Sequence, residues 1–104
     1  MSSVITQIPL SEDQLAAVAL RFRMLGEPMR LRILQAVCQE ERTVGEIVGL
    51  VGANQANVSK HLSLLAGAGL ISRRKAGQSV YYGLHDELVL KLCGLVHGHL
   101  HREG

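Results

Sequence analysis

The stretch Asn54–Leu62, NQANVSKHL, sets amides, hydroxyls and one ammonium among apolar Val58 and Leu62. A helix that only had to be wetted would use Glu and Lys on its outer face. Here the polar side chains are short and can both donate and accept. Gln55 and Asn57 each carry a donor and an acceptor together, as bidentate contact with the edge of adenine requires. Setting Val58, Leu62 and Leu65 inward turns Ala56, Ser59, Lys60 and Ser63 outward. Ala56 is small enough to meet a thymine methyl, whereas His61 lies nearer the buried side. Asn54, at the helix start, joins the candidate contacts. A second group, Arg73, Arg74 and Lys75, clusters beside Gly77 and suits phosphate contact, which positions a protein on a duplex without reading sequence. The plainer alternative for that group is a solvated run of charge. A third constellation, Cys93, His97 and His101, repeats every four residues and forms a stripe on one helix. Thiolate and imidazole suit a thiophilic or borderline ion such as zinc, cadmium or copper. The alternatives are a small buried hydrophobe for Cys93 and a solvated helix end for His97, His99 and His101.

The elements that hold these groups follow from spacing and capping. Ser11 and Gln14 form a capping box ahead of Leu15, Val18, Ala19, Phe22 and Leu25, which share a helical face. Gly26 ends that helix, and Pro28 opens the next at a position where its missing N–H costs nothing. Leu31, Leu34 and Cys38 are expected on one face of this second helix, flanked by Ile33 and Val37. Thr43 and Glu46 make a second capping box for a short helix carrying Ile47, Leu50 and Val51. Gly52 supplies the left-handed turn, Asn54 caps the helix of the opening stretch, and "GAG" ends it. The period then changes. "LISRR" and "VYYGL" read as two strands joined by "KAGQS". Asp86 caps a last helix in which Val89, Leu92, Cys93, Val96 and Leu100 share a face, with Leu88, Leu90 and Leu95 on others. A helix so apolar all round is expected to be buried against a partner chain.

The whole is one domain of 104 residues, mainly α with a small β-hairpin. Residues 1–10 are expected to be a flexible arm, 11–101 the domain and 102–104 a tail. Aromatic residues make up 3% of the chain, which argues against single-stranded nucleic acid, since that is bound by stacking bases on rings. The net charge of +2 and pI near 8.8 permit a polyanionic partner. No segment approaches the ~20 apolar residues of a membrane span, and the start lacks the basic and apolar regions of a signal peptide. A cytoplasmic protein with reduced cysteines is expected. No nucleophile–base motif, phosphate-cradling loop or carboxylate pair points to an enzyme.

Two short helices around a glycine turn, followed by a basic hairpin, form a winged helix-turn-helix pattern. The runs "LGEPMRLRIL", "TVGEIVGLVGANQANVSKHLSLLAGAGLI" and "SRRKAGQSVYYGL", in this order and spacing, resemble the ArsR/SmtB family of small dimeric bacterial repressors. The similarity spans roughly Leu15 to Leu100. The resemblance implies groove contacts at Gln55, Ala56, Ser59 and Lys60, and a homodimer, formed through the terminal helices, on an operator in duplex DNA. It also implies release from that operator by an effector such as a metal ion.

One family metal site uses cysteines on the first helix of the helix-turn-helix. This chain has Glu46, Ile47, Val48, Gly49 and Leu50 there, without a thiol. A second joins the last helices of two subunits; Asp86 and His99 match it, while Leu88 and Arg102 replace the other two ligands. Some relatives instead sense persulfide or oxidant through a cysteine on each of two helices, a role that Cys38 and Cys93 would fill at shifted positions. A disulfide between them needs Cα atoms within about 7 Å. No cofactor is certain, and zinc or cadmium would act as effector. From a different class, a winged helix can also serve as a protein-interaction module.

Overall fold

The computed structural model describes residues 9–103, with five helices and three strands. Helix α1 (Glu12–Leu25) begins at the expected box: the Ser11 hydroxyl accepts from the Gln14 N–H at 3.1 Å, and the Gln14 side chain accepts from the Ser11 N–H at 2.8 Å. Helix α2 (Pro28–Val37) starts on its proline and is capped by the Glu27 carboxylate, which accepts from the Met29 N–H. Strand β1 (Arg42–Thr43) leads into α3 (Val44–Val51), whose Thr43–Glu46 box is present. Gly52 takes φ 71°, a left-handed conformation that glycine adopts without steric cost. Helix α4 (Gln55–Gly67) then starts from an Asn54 cap.

Strands β2 (Ile71–Ala76) and β3 (Ser79–Leu84) pair antiparallel, so that Ala76 faces Ser79 across a two-residue turn. Lys75, Ala76 and Ser79, expected in the turn, are therefore strand residues. Gly77 at φ 61° occupies the first central position, the glycine-first arrangement of a tight hairpin. The sheet order is β1-β3-β2, with Arg42 opposite Tyr82 and Thr43 opposite Tyr81. A strand of two residues has no periodicity to betray it, so β1 escapes sequence reading. Helix α5 (Leu88–Glu103) is started by Asp86, whose carboxylate accepts from the Leu88 N–H at 3.0 Å. It runs past residue 101, where a tail was expected. The N-terminal arm falls mostly on residues outside those described.

The core gathers Ile33, Leu34 and Val37 of α2, Ile47 of α3, Val58, Leu62 and Leu65 of α4, the hairpin's Leu70 and Ile71, Val89 of α5 and Met24 of α1. The inward face of α2 thus differs from the one expected. It centres on Ile33, Leu34 and Val37, because α2 packs against both α3 and α4. Leu31 turns the other way, toward α1 and α5, and Cys38 sits half-buried at the end of the helix. Among the described residues no helix is long and apolar enough to cross a membrane.

Candidate nucleic-acid interface

Helix α4 keeps its two faces apart. Val58, Leu62 and Leu65 are fully buried, and His61 joins them at 7% exposure. Gln55, Ala56, Asn57, Lys60 and Ser63 are exposed, while Ser59 is half-buried. The outward polar set read from the sequence is therefore the set the fold presents, with His61 excluded from it. Asn54 is the exception in kind: its side-chain oxygen accepts from the Asn57 N–H at 2.8 Å. It secures one of the orphan donors at the helix start, which leaves its amide nitrogen and one lone pair of that oxygen to offer a ligand.

Gln55 and Ser59 open onto a cleft of about 340 Å³. Its other walls are Thr43, Val44 and Gly45 at the start of α3, and Ser79, Val80 and Tyr82 of β3. Sequence reading located Thr43 as a cap but had no means of placing it beneath the hairpin. That neighbourhood is created by β1, which pairs Thr43 with Tyr81. Helix α4 and the β2–β3 hairpin thus border one concave surface.

The three wing cations, alike in sequence, are not alike in space. Side chains alternate across a strand, and residues directly opposite on paired strands share a face. Arg73 lies opposite Tyr82 and Lys75 opposite Val80. Both cations are therefore on the sheet face that borders the cleft, and both are exposed. Arg74 lies opposite Tyr81 on the other face. Its guanidinium stacks 5.0 Å from the Tyr81 ring centre and donates to both carboxylate oxygens of Glu41 at 2.7, 3.0 and 3.2 Å. Hydrogen bonding from Arg74 holds the Glu41 carboxyl below the usual carboxylate range, and Glu41 in turn raises Arg74. Arg74 is a paired cation, unlike the phosphate-ready group pictured from the sequence.

At the far end of the chain, Cys93 and His97 line an apolar groove of about 380 Å³ between α1 and α5, with Phe22, Leu25, Leu31 and Leu92. The His97 and His101 rings meet edge to face at 4.1 Å. Four residues of helix rise about 6 Å, so the stripe from Cys93 to His101 is too long for one ion to span. Among the described residues no group of three or more His, Cys, Asp or Glu side chains could hold a metal. Asp86 is already committed, capping α5 and pairing with Arg21 at 3.1 Å. Cys38 donates to the Gln35 carbonyl at 3.1 Å and lines a separate hollow with Glu41, Ser72 and His85. Both thiols are free.

Comparison with known proteins agrees with this geometry. The model of the bacterial regulatory protein, arsR family, matches residues 27–73. The nodulation protein NolR of Rhizobium meliloti is 34% identical over 95 residues, covering 90% of this chain and 78% of NolR. A probable mercury resistance operon repressor of Streptomyces lividans is 41% identical over 74 residues, 71% of this chain and 59% of that protein. The solution structure of a homodimeric winged helix-turn-helix DNA-binding domain, Mb0332 from Mycobacterium bovis, superposes with a TM-score of 0.78 at 31% identity, covering 90% of each chain. The chain belongs to the arsR family of bacterial regulatory proteins, as a winged helix-turn-helix DNA-binding transcriptional regulator and not an enzyme.

Proposed function

We propose that this regulator is a repressor which binds a two-fold operator as a homodimer and leaves it when an effector alters the dimer seam. The observation that carries the reading is that Gln55 and Ser59 of α4 line one cleft with Val80 and Tyr82, the strand residues directly opposite Lys75 and Arg73. Gln55, Ala56, Asn57, Ser59, Lys60 and Ser63 read base edges, and Arg73 and Lys75 seat on phosphate. Asn54 serves chiefly to cap the reading helix. A regulator of this kind works in the cytoplasm, beside the chromosome.

The dimer is supported at the opposite end. Phe22, Leu95 and Leu100 are 61%, 71% and 62% exposed, and Leu15, Val18, Leu88 and Val96 are exposed with them. Apolar surface on this scale marks an interface. A second copy, seated isologously, would cover α1 and α5 with α1 and α5. It would also set the two reading helices one duplex turn apart, roughly 34 Å.

The effector reading rests on Cys93 and His97, which line the groove that the second copy would border. His101 touches His97, and His99 lies on the same terminal turns. Thiol modification or ligation there would shift α5 relative to its mate without touching DNA, with leverage set by differential affinity for the free and operator-bound forms. The test joins sedimentation with selection of binding sites from a randomised duplex pool. A dimer that enriches an inverted repeat is the expected result. A monomer that binds a full site tightly, or a pool that shows no enrichment, would remove the proposal.

A further inference from the structure

We infer that Glu41 is a charge mask on the wing, keeping Arg74 out of sequence-independent phosphate binding. The inference rests on duplex binding by the domain and concerns the wing face opposite the cleft, adding a residue that the reading of the cleft does not use. Glu41 belongs to the segment between α2 and β1, remote in sequence from the wing it touches. Its stem crosses the backbone of Gly83: a Cβ at that position would come within 3.0 Å of the Glu41 Cγ. A side chain there would press on the Glu41 stem and the Ser72 hydroxyl, so the glycine eases the carboxylate's path to Arg74. Three donor–acceptor contacts in fork geometry and the Tyr81 ring beneath the guanidinium then fix the pair from two sides. Such bidentate geometry is more specific than a point contact between charges.

The consequence is a matter of counting ions. Each phosphate neutralised by a protein cation releases condensed counterion, and the logarithm of affinity falls with that of salt by about 0.9 per phosphate. A cation already neutralised by Glu41 adds little to that count. If a phosphate does capture Arg74, Glu41 is left with an uncompensated charge that gathers cations again. In either case the net release is smaller than three wing cations would give. Arg73 and Lys75 on the cleft face do the holding, and Arg74 is withheld from indiscriminate binding.

The experiment compares the full-length wild type with Glu41→Gln, Arg74→Gln and the double variant on a duplex of random sequence, across a salt series. Glutamine keeps the stem that lies on Gly83 and removes only the charge. Glu41→Gln should bind the random duplex more tightly, with a salt slope steeper by about 0.9 for each bound chain. Arg74→Gln alone should leave the slope almost unchanged, and the double variant should return to the wild-type slope. A structural loss could weaken binding but would not steepen the slope. Equal slopes in wild type and Glu41→Gln would overturn the inference, as would a shallower slope in Arg74→Gln alone. The pair is also observable without DNA, as a slowly exchanging Arg74 Nε–H signal that disappears in Glu41→Gln. Absence of that signal in the wild type would mean that no mask forms, whatever the DNA results. Failure of the wild type to bind any duplex, with the signal present, would instead strike at DNA binding itself.

Discussion

The middle of the chain and its two ends use the same residue types to different purposes. From α2 to β3, the leucines, isoleucines and valines of the core are closed off from solvent, and Gln55 and Ser59 open onto a cleft beside the hairpin. In α1 and α5, apolar residues of equal size face outward around a groove; among the described residues Met24 and Val89 are buried in the core, with Leu20 and Leu25 packed partly against it. The first region buries its core apolar side chains within the chain, whereas the second leaves much of its own apolar surface uncovered. Under the proposed function, DNA reading and subunit pairing lie in separate layers, so that a change at the ends would move the reading helix without rebuilding it.

Paired substitutions make the sharpest test of this division. Leu62→Ala removes a fully buried side chain of α4 and should lower unfolding free energy by about 2–5 kcal/mol, with loss of both folding and DNA binding. Val96→Asp places a charge on the exposed α5 face. It should leave the monomer folded while weakening self-association by about 2 kcal/mol or more, the scale of an interface hot spot. Chemical denaturation and sedimentation read the two effects. The contrast between the regions collapses if Val96→Asp unfolds the chain as Leu62→Ala does, or if it leaves association intact.

Within the reading region, Gln55→Ala and Lys75→Ala should part ways. Loss of the amide should cost about 1–3 kcal/mol at particular base pairs and relax preference there. Loss of the ammonium should weaken operator and random duplex alike and make the salt slope shallower by about 0.9 per chain. Binding isotherms on matched and scrambled operators separate the two. Identical behaviour on both duplexes would show that the cleft does not divide reading from holding.

What the sequence disclosed follows the range of the forces involved. Caps are local, so Ser11, Thr43, Asn54 and Asp86 were readable as helix starts. The inward face of α4 was readable too, because Val58, Leu62 and Leu65 obey one period. The face of α2 was misjudged because two apolar surfaces run along that helix, one for the core and one, including Leu31, for the groove. Periodicity cannot say which surface the rest of the chain will cover. Long-range polar contacts left no trace at all. Nothing near Arg74 announces Glu41, 33 residues away, and the only hint is a glycine in an otherwise side-chain-rich strand, where close approach is one standing explanation.

The smallest expected effect lies in that last contact, and its sign is fixed. Glu41 titrates below its ordinary range because Arg74 hydrogen-bonds to the ionised form. A carboxyl with a depressed folded-state pKa adds stability above its unfolded value, and that addition is lost as pH falls through the folded value. The raised Arg74 pKa acts in the opposite sense, its contribution fading only at alkaline pH beyond ordinary working conditions. Both groups are open to solvent, so screening keeps the contribution small. Thermal unfolding of the wild type and Glu41→Gln should therefore differ slightly at neutral pH and converge in acid, with the gap narrowing as salt is added. A gap that persists once Glu41 is protonated would mean that its stem on Gly83, rather than its charge, supports the wing. In that event the salt slope on random duplex should also be indifferent to Glu41→Gln.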